Sequence, residues 1–252
     1  MKNFLKIPEF IYEDKHILIV NKPAGLIVQG AKEKRYSLLL LLKDFIKKRD
    51  KKQGNVFLSV VHRLDKVVSG ALVLAKRTKS ARRLSESFQK KEIIKLYLAG
   101  IEGRLTGEGI WEDYLIWDAQ KRKAKLSNEK IENSKKAITI YSTLYSSQKY
   151  TYILLLPVTG RKHQLRVILS ERGNPIAGDI KYGAKEKILN GQAILLHCLF
   201  LRFPHPVNRE KMEFWAEIPY YFFFDLKYKE KIYEFLKSIS NFLEGVKYIQ
   251  LN

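Results

Sequence analysis

Two short segments concentrate groups able to do chemistry, and each lies where an apolar run ends. The first is His62-Arg63-Leu64-Asp65-Lys66, followed by Ser69-Gly70. An acid flanked by Arg63 and Lys66 is favoured in its ionised form, because opposite charges stabilise the carboxylate. Asp65 is therefore suited to act as a nucleophile or base, although a structural ion pair at a strand end fits the same residues. The second segment is Thr159-Gly160-Arg161-Lys162-His163-Gln164-Leu165-Arg166. A helix start so rich in donors favours an anion, either a phosphate or a partner carboxylate. Arg166 lies about one turn into that helix and can reach such a carboxylate. A capped helix with a basic exposed face explains the segment equally well.

Other chemistries find no support. There is no P-loop pattern, no G-x-G-x-x-G opening a helix after a strand, no H-E-x-x-H and no C-x-x-C. His16, His62, His163, His197 and His205 do not recur at metal-ligand spacing. Neither a cofactor nor a metal is expected.

The elements that must position these groups follow from periodicity and punctuation. Residues 11–20 read as a strand ending in the turn Asn21-Lys22-Pro23-Ala24-Gly25. Ser37 is a good N-cap for a helix to about Lys48. Residues 56–61 form a short strand delivering the chain to His62, and 70–75 a second, buried one. Thr78 caps a helix to about Lys90. Residues 93–101 form a strand with Lys95 and Tyr97 on one face, since they sit two apart. Hairpin strands are expected at 110–117 and 121–126, and an antiparallel pair at 137–144 and 150–156. Thr159 caps a helix over 162–171, stopped by Gly173. Residues 175–187 are a turn-rich loop, 193–203 and 211–218 the last strands, and 228–243 a helix with Ile232, Phe235, Leu236 and Ile239 on one side. Strands outnumber helices and several are joined by short antiparallel turns, which makes the fold α+β rather than a doubly wound parallel sheet. With no repeat or Pro/Ser-rich linker, 1–252 is expected to be a single catalytic domain with a cleft.

Composition bounds the surroundings. Of 252 residues, 47 are Lys or Arg and 26 are Asp or Glu, giving a formal charge of +21. That surplus attracts polyanions, of which nucleic acid is the commonest, although charge alone also serves solubility. The runs Lys47-Lys48-Arg49, Lys51-Lys52 and 121–125 read as solvated or phosphate-facing surface. With 46% hydrophobic residues the chain can bury a core. No apolar run approaches the roughly 18 residues of a membrane span. The N-terminus lacks a secretory h-region, and the lone Cys198 can form no internal disulfide. A soluble, cytoplasmic protein is the expectation.

Taken together, the motifs resemble those of the RluA-type pseudouridine synthases along nearly the whole chain. Asn21-Lys22-Pro23-Ala24-Gly25-Leu26 is similar to the family's N-terminal signature, and His62-Arg63-Leu64-Asp65 with Ser69-Gly70 to its catalytic motif. Lys95, Tyr97 and Ala99 with Gly103 resemble the second motif, and the segment from Thr159 to Arg166 the third. Gly178-Asp179 with Tyr182-Gly183, Leu196-His197 and His205-Pro206 follow in order. Val68, Gln29 and Cys198 depart from the usual Thr, His and Ala, and none touches the implied chemistry.

The resemblance implies that Asp65 is the nucleophile, that Arg166 pairs with it and aims it, and that Tyr97 packs against the flipped base and handles a proton. It implies that Arg63 assists flipping or fills the vacated place in the stack, and that Leu165 supports the pocket. Lys95, Arg161 and His163 would contact phosphates or back the groups that touch the base, while His197 and His205 are structural. The chemistry suits these types. Isomerisation breaks N1–C1′, rotates the base and makes C5–C1′, with no redox or energy input. A stacked base must first be flipped, at a cost of a few kcal/mol that aromatic and cationic contacts offset. Attack at C1′, attack at C6 and base action through a glycal are all open to Asp65.

The implied partner is rRNA or tRNA, bound by a monomer, with no membrane and no DNA expected. About ten residues precede the first expected strand, so the S4-type RNA-binding module of some relatives is expected to be absent. Substrate would then be held by the 82–91 helix and the basic hairpin near Lys121. A non-catalytic RNA-binding or RNA-folding protein on the same fold is the alternative, and the joint presence of Asp65, Tyr97 and Arg166 argues against it. A basic nuclease or phosphotransferase would need a metal-binding carboxylate cluster, and none is evident near Asp65.

Overall fold

Alternating and wholly apolar runs become the strands of one sheet, and the helices pack against it. A computed structural model describes residues 7–30, 37–127 and 130–249. In chain order the elements are β1 (Glu9–Glu13), β2 (Ile17–Lys22), α1 (Leu38–Arg49), β3 (Ser59–Val60), β4 (Ser69–Ala75) and α2 (Thr78–Gln89). There follow β5 (Ile94–Ile101), β6 (Glu108–Asp118), β7 (Lys123–Ser127), β8 (Lys135–Ser146), β9 (Thr151–Pro157) and α3 (Gln164–Glu171). The chain closes with β10 (Leu196–Pro204), β11 (Lys211–Trp215) and α4 (Lys229–Ile249). The sheet runs β1-β2-β4-β10-β5-β9-β8-β6-β7, with β11 on β10 and β3 on β4. Among the described residues β4 and β10 pair in parallel and the other strand pairs are antiparallel. The α+β fold expected from the sequence is the one observed, built on a mixed, mostly antiparallel sheet.

The centre of the sheet is apolar on both faces. All of β4 is buried, as are most of β9 and β10. Gly70 is required where β4 meets β10. Its φ is +121°, and a Cβ there would stand 2.4 Å from both the nitrogen and the oxygen of Cys198. A second, smaller core of Leu115, Ala124, Ala137, Val167, Ile168 and Tyr182 clamps the β6–β7 hairpin onto α3. Ile232, Phe235, Leu236 and Ile239 are the buried side of α4, as their spacing predicts. No described helix is long and apolar enough to cross a membrane.

Several boundaries differ from expectation for local reasons. The strand expected over 11–20 is two strands, because Asp14 Oδ1 accepts the amides of His16 and Ile17 at 2.6 and 2.7 Å and folds a turn between them. The strand expected over 56–61 shortens to Ser59–Val60. Ser37 caps α1 as expected, accepting from the Leu40 amide. Thr78 is the first helical residue of α2 rather than its cap. Thr159 does not cap α3 either. Its hydroxyl accepts the Ile138 amide at 2.9 Å and donates to Gln164 Oε1 at 2.8 Å, and the N-cap is His163 in the left-handed region at φ 57°.

Candidate active site

Three pieces of chain converge on Asp65. The loop between β3 and β4 presents Arg63 and Asp65 itself, β5 presents Lys95 and Tyr97, and the 158–166 segment presents Arg161, His163, Leu165 and Arg166. They line one cavity of about 550 Å³, whose wall includes Arg63, Asp65, Lys91, Lys95, Tyr97, Arg161, His163, Leu165 and Arg166. The site residues named from the sequence therefore share one cavity.

Each wall residue is placed by its own element. Lys22 is fully buried and its ammonium donates to the carbonyls of Pro23 and Leu26, each at 2.8 Å, and of Lys66 at 3.4 Å. It ties the 22–26 turn to the residue following Asp65. Burial pushes the Lys22 ammonium down to about 7, against the pull of the nearby Asp65 charge. Gln164 staples the opposite wall. Its Oε1 accepts from Arg161 N and Thr159 Oγ1, while its Nε2 donates to the Ile138 carbonyl and Thr139 Oγ1. That staple and the left-handed His163 turn the chain so that Leu165 and Arg166 face the cavity.

The ionic geometry is asymmetric. Arg166 Nη1 donates to Asp65 Oδ2 at 2.9 Å. Its other two nitrogens, Nε and Nη2, grip Asp179 Oδ2 and Oδ1 at 2.7 and 2.8 Å. The planar two-donor fork of the guanidinium is thus spent on Asp179, which is almost wholly buried and lies alongside it. The two carboxylates hold the Arg166 pKa above its ordinary value against burial. His163 Nε2 stands 3.6 Å from the same Asp65 Oδ2, and burial lowers the imidazole to about 4. Both contacts fall on Oδ2, so Oδ1 is the oxygen these neighbours leave for the cavity.

Tyr97 and Lys95 share a face of β5, and burial moves their titrations in opposite directions. The phenol is held well above its ordinary value and the ammonium is lowered, in each case because the charged form loses water. Tyr97 is only 7% exposed and lines the cavity together with Leu165 and Leu196. Arg63 is exposed at the mouth. Arg161 spends its Nε on the Lys136 carbonyl at 2.9 Å.

Two groups were not singled out in the sequence. Asp179 and Tyr182 belong to a quoted motif but received no role, although an acid and a phenol in a turn bounded by Gly178 and Gly183 were visible. That turn has both glycines at positive φ. Conversely, His197 is structural as expected. Tyr221 donates to Ser69 Oγ at 3.2 Å, Ser69 lies 2.8 Å from His197 Nδ1, and His197 Nε2 faces the Ala216 carbonyl. His205 pairs at 2.9 Å with Asp14, in the turn between β1 and β2.

Residues 16–171 match a family model described as RNA pseudouridylate synthase. The ribosomal large subunit pseudouridine synthase C of Rickettsia prowazekii (strain Madrid E) is 35% identical over 213 residues, covering 84% of this chain and 68% of that protein. The protein of the same name from Haemophilus influenzae is 34% identical over 221 residues, covering 83% and 65%. Among solved structures, human RNA pseudouridylate synthase domain containing 4 superposes with a TM-score of 0.71 at 25% identity, covering 87% of this chain and 92% of that one. Human RNA pseudouridylate synthase domain containing 1 gives 0.65 at 25% identity, covering 84% of each.

Proposed function

The chain belongs to the RNA pseudouridylate synthase family and isomerises uridine in RNA, and we propose that Asp65 is its nucleophile, acting through Oδ1. The observation that carries this is the 2.9 Å contact of Arg166 Nη1 with Asp65 Oδ2 at the wall of the cavity. One oxygen is anchored and the other is left for substrate. A guanidinium that remains charged keeps an ionic partner beside the carboxylate when the site closes over a base and water leaves.

In this scheme the target uridine leaves the stack and enters the cavity, with its ring between Tyr97 and Leu165. Asp65 Oδ1 bonds to C1′ as N1–C1′ breaks, the base turns, and C5 bonds to C1′ as the Oδ1–C1′ bond breaks and returns its electron pair to the carboxylate. The proton lost from C5 and the proton at N1 balance the exchange. A buried Tyr97 keeps its hydrogen at neutral pH, so it supports the base and donates rather than serving as a resting phenolate. Arg63, exposed at the mouth, assists flipping.

The names of the relatives point to large-subunit ribosomal RNA as the substrate. Phosphates would be gripped by Lys91 and Lys162 at the cavity and by the hairpin cations Lys121, Arg122 and Lys123. On α2, Arg82 is held by Glu86 and Arg83 by the Pro206 carbonyl, so the hairpin is the stronger candidate. The unit proposed is a monomer with a single catalytic domain.

The test is capture of RNA containing 5-fluorouridine at the target position, with pseudouridine mapping in cells lacking the gene. Capture and modification by the wild type and their loss in Asp65→Ala support the scheme. Undiminished isomerisation by Asp65→Ala would sink it.

A further inference from the structure

A chain of polar contacts leads from the β6–β7 hairpin to Asp65. The Ala124 amide on β7 donates to Tyr182 Oη at 2.9 Å, and Tyr182 Oη lies 2.8 Å from His163 Nδ1. His163 Nε2 then stands 3.6 Å from Asp65 Oδ2. The direction of the chain follows from counting hydrogens. An amide can only donate, so it fills a lone pair of the phenol oxygen. The phenol has one hydrogen, and Tyr182 is 1% exposed. Buried hydroxyls find an acceptor, and among the described residues His163 Nδ1 is the one the Tyr182 hydroxyl meets. Nδ1 must therefore present its lone pair, which places the ring hydrogen of the neutral imidazole on Nε2.

We infer that Tyr182 is a positioning residue that fixes His163 as an Nε2–H donor aimed at Asp65, and that the hairpin holds Tyr182 in that role through the Ala124 amide. The inference rests on the proposal that Asp65 is the nucleophile. The opposite tautomer would set an imidazole lone pair against a carboxylate oxygen. At 3.6 Å the donor is beyond hydrogen-bond length, and such contacts tighten when a site is occupied. Arg166 and His163 then hold Oδ2 from two directions and fix the carboxylate plane. A neutral donor does this without adding a second full positive charge beside Oδ2.

Other contacts support the same geometry. The Tyr182 ring lies under the Arg166 guanidinium at 5.0 Å, so one side chain backs both neighbours of Asp65. The His163 ring meets Trp117 of β6 edge-on at 5.3 Å, and Lys162 Nζ stands 3.3 Å over that indole. Lys181 ties its turn to the hairpin through the Arg122 carbonyl at 2.7 Å. The 103–136 segment thus carries more than cations.

The test is 15N spectroscopy of the full-length protein labelled in histidine, with His163 assigned by its loss in His163→Gln. The wild type is expected to show His163 as the Nε2–H tautomer. Tyr182→Phe, which removes the hydroxyl and keeps the ring, is expected to lose that fixed tautomer. Its kcat should fall between about ten- and a hundredfold, the scale of a misplaced reacting group, with KM within about twofold. In a His163→Gln background, where an amide nitrogen replaces Nε2, Tyr182→Phe should add less than about a twofold further loss. An Nδ1–H tautomer in the wild type overturns the inference without any variant. So does an unchanged tautomer in Tyr182→Phe, or an equal kcat loss in both backgrounds. None of these bears on Asp65→Ala, whose outcome judges the nucleophile separately.

Discussion

Arg166 meets Asp65 end-on, through Nη1 alone at 2.9 Å. Its Nε and Nη2 are committed to Asp179, so one guanidinium serves two carboxylates with three nitrogens. A lysine carries the same charge on a single nitrogen and cannot span both acids. Arg166→Lys is expected to lower kcat by roughly a hundredfold or more with little change in KM, the scale expected when a reacting group is misplaced by about 1 Å. Single-turnover isomerisation at saturating RNA measures it, and near wild-type turnover would contradict the geometry.

The same asymmetry separates stability from activity. The Asp65 side chain is 35% exposed, whereas that of Asp179 is 1% exposed. Asp65→Asn leaves Arg166 paired with Asp179, so its unfolding free energy should stay within about 1 kcal/mol of wild type while isomerisation is lost. Asp179→Ala strips a buried guanidinium of its bidentate partner and should cost about 3 kcal/mol or more. Urea denaturation of both variants decides the matter, and equal losses would contradict the assignment of the fork.

Residues that share a strand face or one helical turn could be placed from the sequence. Lys95 and Tyr97 sit two apart on β5 and reach one cavity, as alternation demands, and Arg166 follows Leu165 at the start of α3. The partner of Arg166 within that helix's own surroundings was less visible. Asp179 is 13 residues away in the chain and Tyr182 is 19 from His163. Asp179 precedes and Tyr182 ends a 3-10 turn at Ile180–Tyr182 whose direction no hydrophobic period encodes. The helix start was misplaced for a similar reason. Thr159 is a good cap by type, but Gln164 draws its hydroxyl across to β8 and leaves a left-handed His163 at the helix start. Tertiary hydrogen bonds here override a local preference.

The charge of +21 acquires a measurable location. Lys121 and Arg122 are exposed at the turn between β6 and β7, whose base is fixed to α3. If these cations meet phosphate, each neutralisation should lower the slope of log K against log salt by about 0.7–0.9, one released counterion apiece. Lys121→Ala with Arg122→Ala should therefore raise KM more than it lowers kcat. Filter binding to target RNA across a salt series checks this, and an unchanged slope would place the RNA elsewhere.

Acid should unfold this protein through its buried histidines. Burial holds His197 near 4 and His163 near 4, whereas an unfolded histidine takes up its proton near 6.5. Between these values the unfolded chain binds a proton that the folded chain does not, so stability falls as pH drops from 6.5 to 4 and is independent of these groups above 6.5. Each site can contribute at most about 1.4 kcal/mol per pH unit within that window. His197 is fully buried, with Ser69 on Nδ1 and the Ala216 carbonyl on Nε2, which makes it the cleaner probe. His197→Asn keeps an acceptor for the Ser69 hydroxyl and has nothing to titrate. Its stability at pH 7 should fall, because ring atoms leave a packed site, but its slope between pH 6.5 and 4.5 should be shallower than that of wild type by up to that amount. Thermal or urea unfolding at four or five pH values distinguishes the slopes, and parallel curves would show that His197 is not the group being charged.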